Sequence, residues 1–271
     1  MSKGLSDQEI ALVASWLSSE RLAAFVKISG TERDAFELHQ QMMAVAGALM
    51  PVIGLIEIAL RNSICDRLRQ HFDVPDWLNH PPAPFAWRGE ELQSLNRAIR
   101  QGQRAEYAKL TNAEKRALDE VAFPMGIPAG VSHEDRSKAR QKAIRVTQGQ
   151  QIAQLTILFW KRHFSNDYEA TLWARSLKRL FPNKTLTRGQ IAAELEHVYQ
   201  ARNRIAHHEP LYGRRLENTL LAIDFLAQNF EAKTPGPDAV LAKAIGSERE
   251  RLQIEAEKLK AMLERFDVSA I

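Results

Sequence analysis

Residues 42–60 read MMAVAGALMPVIGLIEIAL, nineteen positions with one charge, Glu57. By length the run qualifies as a membrane-span candidate. Three features turn the reading toward a soluble bundle. Gly47, Pro51 and Gly54 interrupt it, an acid lies near one end, and no second span exists to shelter that acid. A helix apolar on every side is also the central member of a soluble bundle. The run is therefore expected as the middle of a long core helix from about Glu32 to Phe72, with a membrane-anchored protein as the alternative.

Outward from this helix the pattern is helical almost throughout, without a stretch of β-branched alternation that reads as a strand. The expected class is all-α. Ser6 and Glu9 make a capping-box pattern that opens a helix, or a broken pair, running to about Ile28, with Leu12, Trp16, Leu22, Phe25 and Val26 as core. The prolines at 75, 81, 82 and 84 mark a loop, helical patterns resume from about Gly89 to Phe123, and residues 124–130 break them. A further core helix is expected from Ala143 to Phe164 and a shorter one from Tyr168 to Leu180. Thr187 and Gln190 form a second capping box. After the break at residues 235–237, apolar residues from Leu241 to Phe266 recur at coiled-coil-like intervals. The organisation read from this is a bundle over residues 1–232, a helical insertion over 75–142, and an amphipathic helix over 233–271 that packs on the bundle or on a second copy.

The chemistry concentrates in residues 200–210, QARNRIAHHEP. On a wheel of 100° per residue, Ile191, Leu195, Val198, Tyr199, Ile205 and Ala206 share an apolar stripe with Arg202 in its middle. A core-facing arginine is costly unless it is paired or meets an anion. Glu57 is the other misplaced charge, and the two are expected to pair across packed helices, with Arg61 and Asn62 extending the polar patch. Asn203 and His207, four apart, share a face on which the amide can orient the imidazole. The plainer readings are an architectural salt bridge and basic residues that complement a helix C-terminus.

The 271 residues, 45% hydrophobic and 26% charged, describe a globular protein. A single cysteine, Cys65, excludes an intramolecular disulfide and fits a reducing compartment. With no basic-apolar-small leader at the start, a cytoplasmic protein is expected. From Arg88 to Arg145 there are twelve basic and eight acidic side chains, an excess equal to the net charge of +4. Arg97, Arg100, Arg104, Arg136, Lys138, Arg140 and Lys142 are the candidates there for tracking a phosphate backbone, against the alternative of a solvated helix face.

Residues 56–62, IEIALRN, together with residues 202–210, resemble the two signature segments of the bacterial abortive-infection (Abi-like) proteins. Residues 154–160 (QLTILFW), Leu172-Trp173 and residues 181–183 (FPN) are similar to that family too. The resemblance covers most of residues 15–230 and is weakest between 75 and 142. The family belongs with the HEPN superfamily of helical bundles, whose members commonly carry an Arg-x4–6-His motif, matched here by Arg202 and His207. The resemblance implies an elaborated HEPN-like bundle and a metal-independent endoribonuclease of a phage-defence or toxin-type system. His207 would move protons, Arg202 would hold developing negative charge, and Asn203 would fix the ring or a phosphate oxygen. Glu57, Arg61, Asn62, Arg204 and His208 would support them. It also implies a homodimer with a composite cleft, with an antitoxin or small RNA as a conceivable partner. No cofactor and no metal-ligand set is expected, since adjacent His207 and His208 point to different faces. The alternative is a non-catalytic bundle that binds RNA or a partner protein.

Overall fold

Ser6 opens the first helix as its spacing with Glu9 predicts. The Ser6 hydroxyl accepts the Glu9 N–H while the Glu9 carboxylate accepts the Ser6 N–H at 2.7 Å. The computed structural model describes residues 4–266, and no strand occurs among them. Helix α1 (Asp7–Leu17) ends at Ser18, whose φ of 66° turns the chain into α2 (Ser19–Ser29). Gly30 closes α2 at φ 85°, where it donates to the Val26 carbonyl. Leu22 and Phe25 are buried as expected, but Leu12 is 52% and Trp16 72% exposed.

Helix α3 (Glu32–Phe72) runs unbroken through Pro51, which has no N–H to offer the Gly47 carbonyl. Ala35, Leu38, Met42, Val45, Leu49, Val52, Ile56 and Leu60 form its buried face at spacings of three and four. The opposite face is open, contrary to the expectation of a helix enclosed on every side. Met43, Met50 and Ile58 are exposed along it, with Gly47 and Gly54 between them. By length and composition α3 could cross a membrane, and 33% of its most apolar window is buried.

The chain divides into two compact units, one of residues up to Ile64 and from Phe164 onward, the other Cys65–His163. The second is wider at both ends than the 75–142 insertion. It holds α4 (Gly89–Lys109), α5 (Asn112–Ala122), α6 (His133–Lys142), α7 (Gln148–Gln154) and α8 (Ile157–Arg162), with α4 packed on α6 and α7 and α5 on α6. The single helix expected over 143–164 is two. A Thr147–Gln150 capping box starts α7, and extended backbone at Leu155 and Thr156 separates it from α8. The core is aromatic, with Trp77, Trp87, Phe159, Trp160 and His163 buried together.

In the first unit, the expected helix at 168–180 is a run of short 3-10 and π turns, Asn166–Tyr168, Glu169–Trp173 and Leu177–Leu180. Helices α9 (Arg188–Ala206) and α10 (Gly213–Asn229) pack against one another, followed by α11 (Val240–Ala244) and α12 (Gly246–Arg265). Helix α12 lies on its own bundle. Leu252, Ala256, Leu259 and Leu263 are buried, Arg249 grips Asp224 of α10 through two 2.8 Å bonds, and Gln41 of α3 donates to the Glu255 carbonyl.

Candidate functional site

Helix α9 begins at the Thr187–Gln190 capping box and carries Ile191, Leu195, Val198, Ala201 and Ile205 inward. The buried line passes through Ala201, so Arg202 and Asn203 stand half-buried at its edge and not in its middle. Tyr199 is half-buried, and Ala206, His207 and His208 are exposed. The helix ends in a Schellman arrangement: His208 donates to the Ile205 carbonyl at 3.0 Å and Glu209 to the Arg204 carbonyl at 2.8 Å. The left-handed position of that motif, which usually falls to glycine, is taken by His208 at φ 53°. A side chain there costs about 1 kcal/mol of backbone strain.

The expected Glu57–Arg202 pair does not form. Arg202 makes no ion pair or hydrogen bond among the described residues. Glu57 is half-buried beside the open face of α3, and Arg202 stands at the edge of the buried line of α9, so neither charge is enclosed on a core-facing stripe as the wheel had it. Arg61 is half-buried and Asn62 exposed, joined by a long 3.4 Å hydrogen bond. Nor does the Asn203 amide hold the His207 ring: the two residues are linked through backbone, His207 N–H to Asn203 carbonyl at 3.1 Å. Arg204 shapes the turn, its Nε donating to the Pro210 carbonyl at 2.9 Å and its guanidinium pairing with Glu209 at 3.2 Å.

Two hollows flank this helix end. Phe25, His39, Met42, Met43, Ile205 and His208 are among the residues that line a small one. His39 was not singled out by the sequence. The Phe25 ring stands edge-on to it at 5.4 Å. Its pKa is lowered, chiefly by burial and further by the charges of Arg21 and His208. The other hollow is a cleft of about 290 Å³ lined by Arg204, Pro210, Tyr212, Arg214 and Arg215. Arg214 and Arg215 were also missed, since they fall on the first turn of the next helix and outside the arginine–histidine spacing.

In the Cys65–His163 unit the basic stripe is partly tied down. Arg136 and Arg140 both clasp Asp119, at 2.5 Å each, and Arg140 is buried. The two guanidiniums, Arg140 more than Arg136, hold the Asp119 carboxyl well below the usual range, and Asp119 raises theirs. Lys138 pairs with Glu134 at 2.6 Å. Arg97, Arg100 and Arg104 are exposed on one face of α4, and Lys142 is exposed at the end of α6. No group of three or more His, Cys, Asp or Glu side chains placed to hold a metal ion occurs among the described residues. No protein-family model matches the chain, and no curated protein or solved structure does either.

Proposed function

We propose that the protein is a metal-independent endoribonuclease of the HEPN type, an Abi-like effector of bacterial phage defence, with Arg202, Asn203 and His207 as its reactive set. The observation that carries this reading is a half-buried arginine, without an ion pair among the described residues, five positions before an exposed imidazole at the end of the same helix. An ion-paired arginine is neutralised, whereas this one is available to an incoming phosphate. In the reaction the 2′-hydroxyl attacks the adjacent phosphorus and the bond to the 5′-oxygen breaks, which leaves a cyclic phosphate and a 5′-hydroxyl. His207 takes the 2′-hydroxyl proton. Arg202 stabilises the charge that grows on the non-bridging oxygens. The leaving oxygen is protonated by the histidine of a second copy in a composite cleft. The open face of α3, apolar with two glycines, suits close approach of such a copy.

The second reading is a non-catalytic bundle that binds RNA or a partner protein. It is favoured by the absence of a hydrogen bond from the Asn203 side chain to the ring, which leaves the imidazole unoriented. The two separate in one experiment: purified protein incubated with RNA, wild type against His207→Ala and Arg202→Ala. Cleavage by the wild type that falls at least about a hundredfold in each folded variant supports the nuclease. No cleavage by wild-type protein together with retained RNA binding supports the binder.

A further inference from the structure

Arg33, Arg136, Arg140, Arg188 and Arg249 each pair with a carboxylate, and Arg162 with two. Among the described residues Arg214 and Arg215 do not, like Arg97, Arg100, Arg104 and Arg202, and are set apart from those by the cleft that they share. Both are exposed, adjacent, and without an ion pair among the described residues. With Arg204 and Tyr212 they line the cleft beside Pro210. Of the three guanidiniums only Arg204 has an acid, Glu209, and it is held in place by that acid and by the Pro210 carbonyl. The cleft thus carries an excess of about two positive charges on side chains whose forked donors suit a phosphoryl group. A backbone diester or a carboxylate brings one negative charge; a phosphate monoester brings up to two. The start of α10 at the same place adds to the positive field, since Tyr212 provides no side-chain cap for its first N–H groups.

We infer that Arg214 and Arg215, backed by Arg204, form a binding site for a phosphate monoester, the terminal phosphate of an RNA strand or that of a free nucleotide. The cleft of about 290 Å³ leaves space beyond the phosphate for the sugar that bears it. The inference rests on the RNA reading only for the source of the phosphate, not for the charge balance or the cleft.

The test is direct binding by the full chain, using 2′-O-methyl oligonucleotides that carry a 5′-phosphate, a 3′-phosphate or neither. Such strands have no free 2′-hydroxyl, so the result stands whether or not the protein cuts RNA. A terminal phosphate should tighten binding about tenfold. The Arg214→Gln/Arg215→Gln variant should lose that advantage while keeping its circular dichroism and its affinity for the unphosphorylated strand. Inorganic phosphate and a nucleoside monophosphate serve as competitors. Displacement by either at concentrations comparable to the oligonucleotide assigns the site to a small phosphate, and displacement only by phosphorylated strands assigns it to an RNA end. Equal affinity for all three strands with no competition by small phosphates overturns the proposal. So does a folded double variant that retains the full advantage. Should that variant not fold, the comparison among probes on the wild type decides alone.

Discussion

Acidifying the solution from pH 7 to pH 5 forces a charge onto a ring that the fold keeps neutral. His163 is fully buried between Trp87, Phe159 and Trp160, with ring centroids 5.2, 4.9 and 5.7 Å away. Its Nδ1 donates to the Phe159 carbonyl at 2.8 Å. Burial dominates and lowers its pKa from 6.5 to about 4, although the Phe159 bond and the charge of Glu91 pull upward. The folded pKa lies below the unfolded one, so the unfolded chain binds the proton first. Stability is therefore full above about pH 7 and is lost as the pH falls from there toward 4. Linkage puts the loss at about 2 kcal/mol by pH 5 and about 3 kcal/mol by pH 4. Trp77, Trp87 and Trp160 are buried in the same unit, so urea unfolding followed by intrinsic fluorescence reports on it. Carboxylates also titrate in this window, and the variant His163→Gln, which keeps a donor for Phe159, removes the imidazole alone. Wild type should lose about 2 kcal/mol more than the variant between pH 7 and pH 5. Parallel losses in the two proteins would refute the assignment.

His208→Gly should raise stability by up to about 1 kcal/mol, read as an upward shift in thermal midpoint, because glycine occupies the left-handed cap without strain. Asp119→Ala should lower the urea midpoint of the Cys65–His163 unit while increasing salt-sensitive binding of single-stranded RNA, since it releases Arg136 and Arg140 together; unchanged values of both would show that the clasp is inert. Met50→Glu, on the open face of α3, should convert a dimer to a monomer in light scattering with little change in helicity. A wild-type protein that is monomeric at micromolar concentration removes the second copy from the cleavage scheme.

The long core helix and the helix that ends in the histidines were legible because their signals are local. Thr187 and Gln190 mark a start, Pro210 marks an end, and residues 191–205 keep a 3.6-residue period between. Which side of α3 faces water was not legible, because a run apolar all round has no period to orient it. The same gap explains the unmade Glu57–Arg202 pair: a helical wheel assigns each charge a face on its own helix but not a neighbour on another. The break at Leu155 and Thr156 carries neither glycine nor proline, so the apolar run hid it. His39 and His208 meet only through the fold, and nothing near either in the chain signals the other.

Among the described residues four helices start on the same reciprocal cap, yet the reaching side chain is a carboxylate in two, Glu9 and Glu114, and an amide in two, Gln150 and Gln190. The hydroxyls of Ser6 and Thr111 hold those carboxyls below the ordinary glutamate range, with the Ser6 N–H the larger influence on Glu9. Both caps therefore survive mild acid and let go once their oxygens take a proton. An amide takes none. The helix that presents Arg202 and His207 is moored at its far end by a group indifferent to acidity, so it keeps its footing in acid that frays α1 and α5.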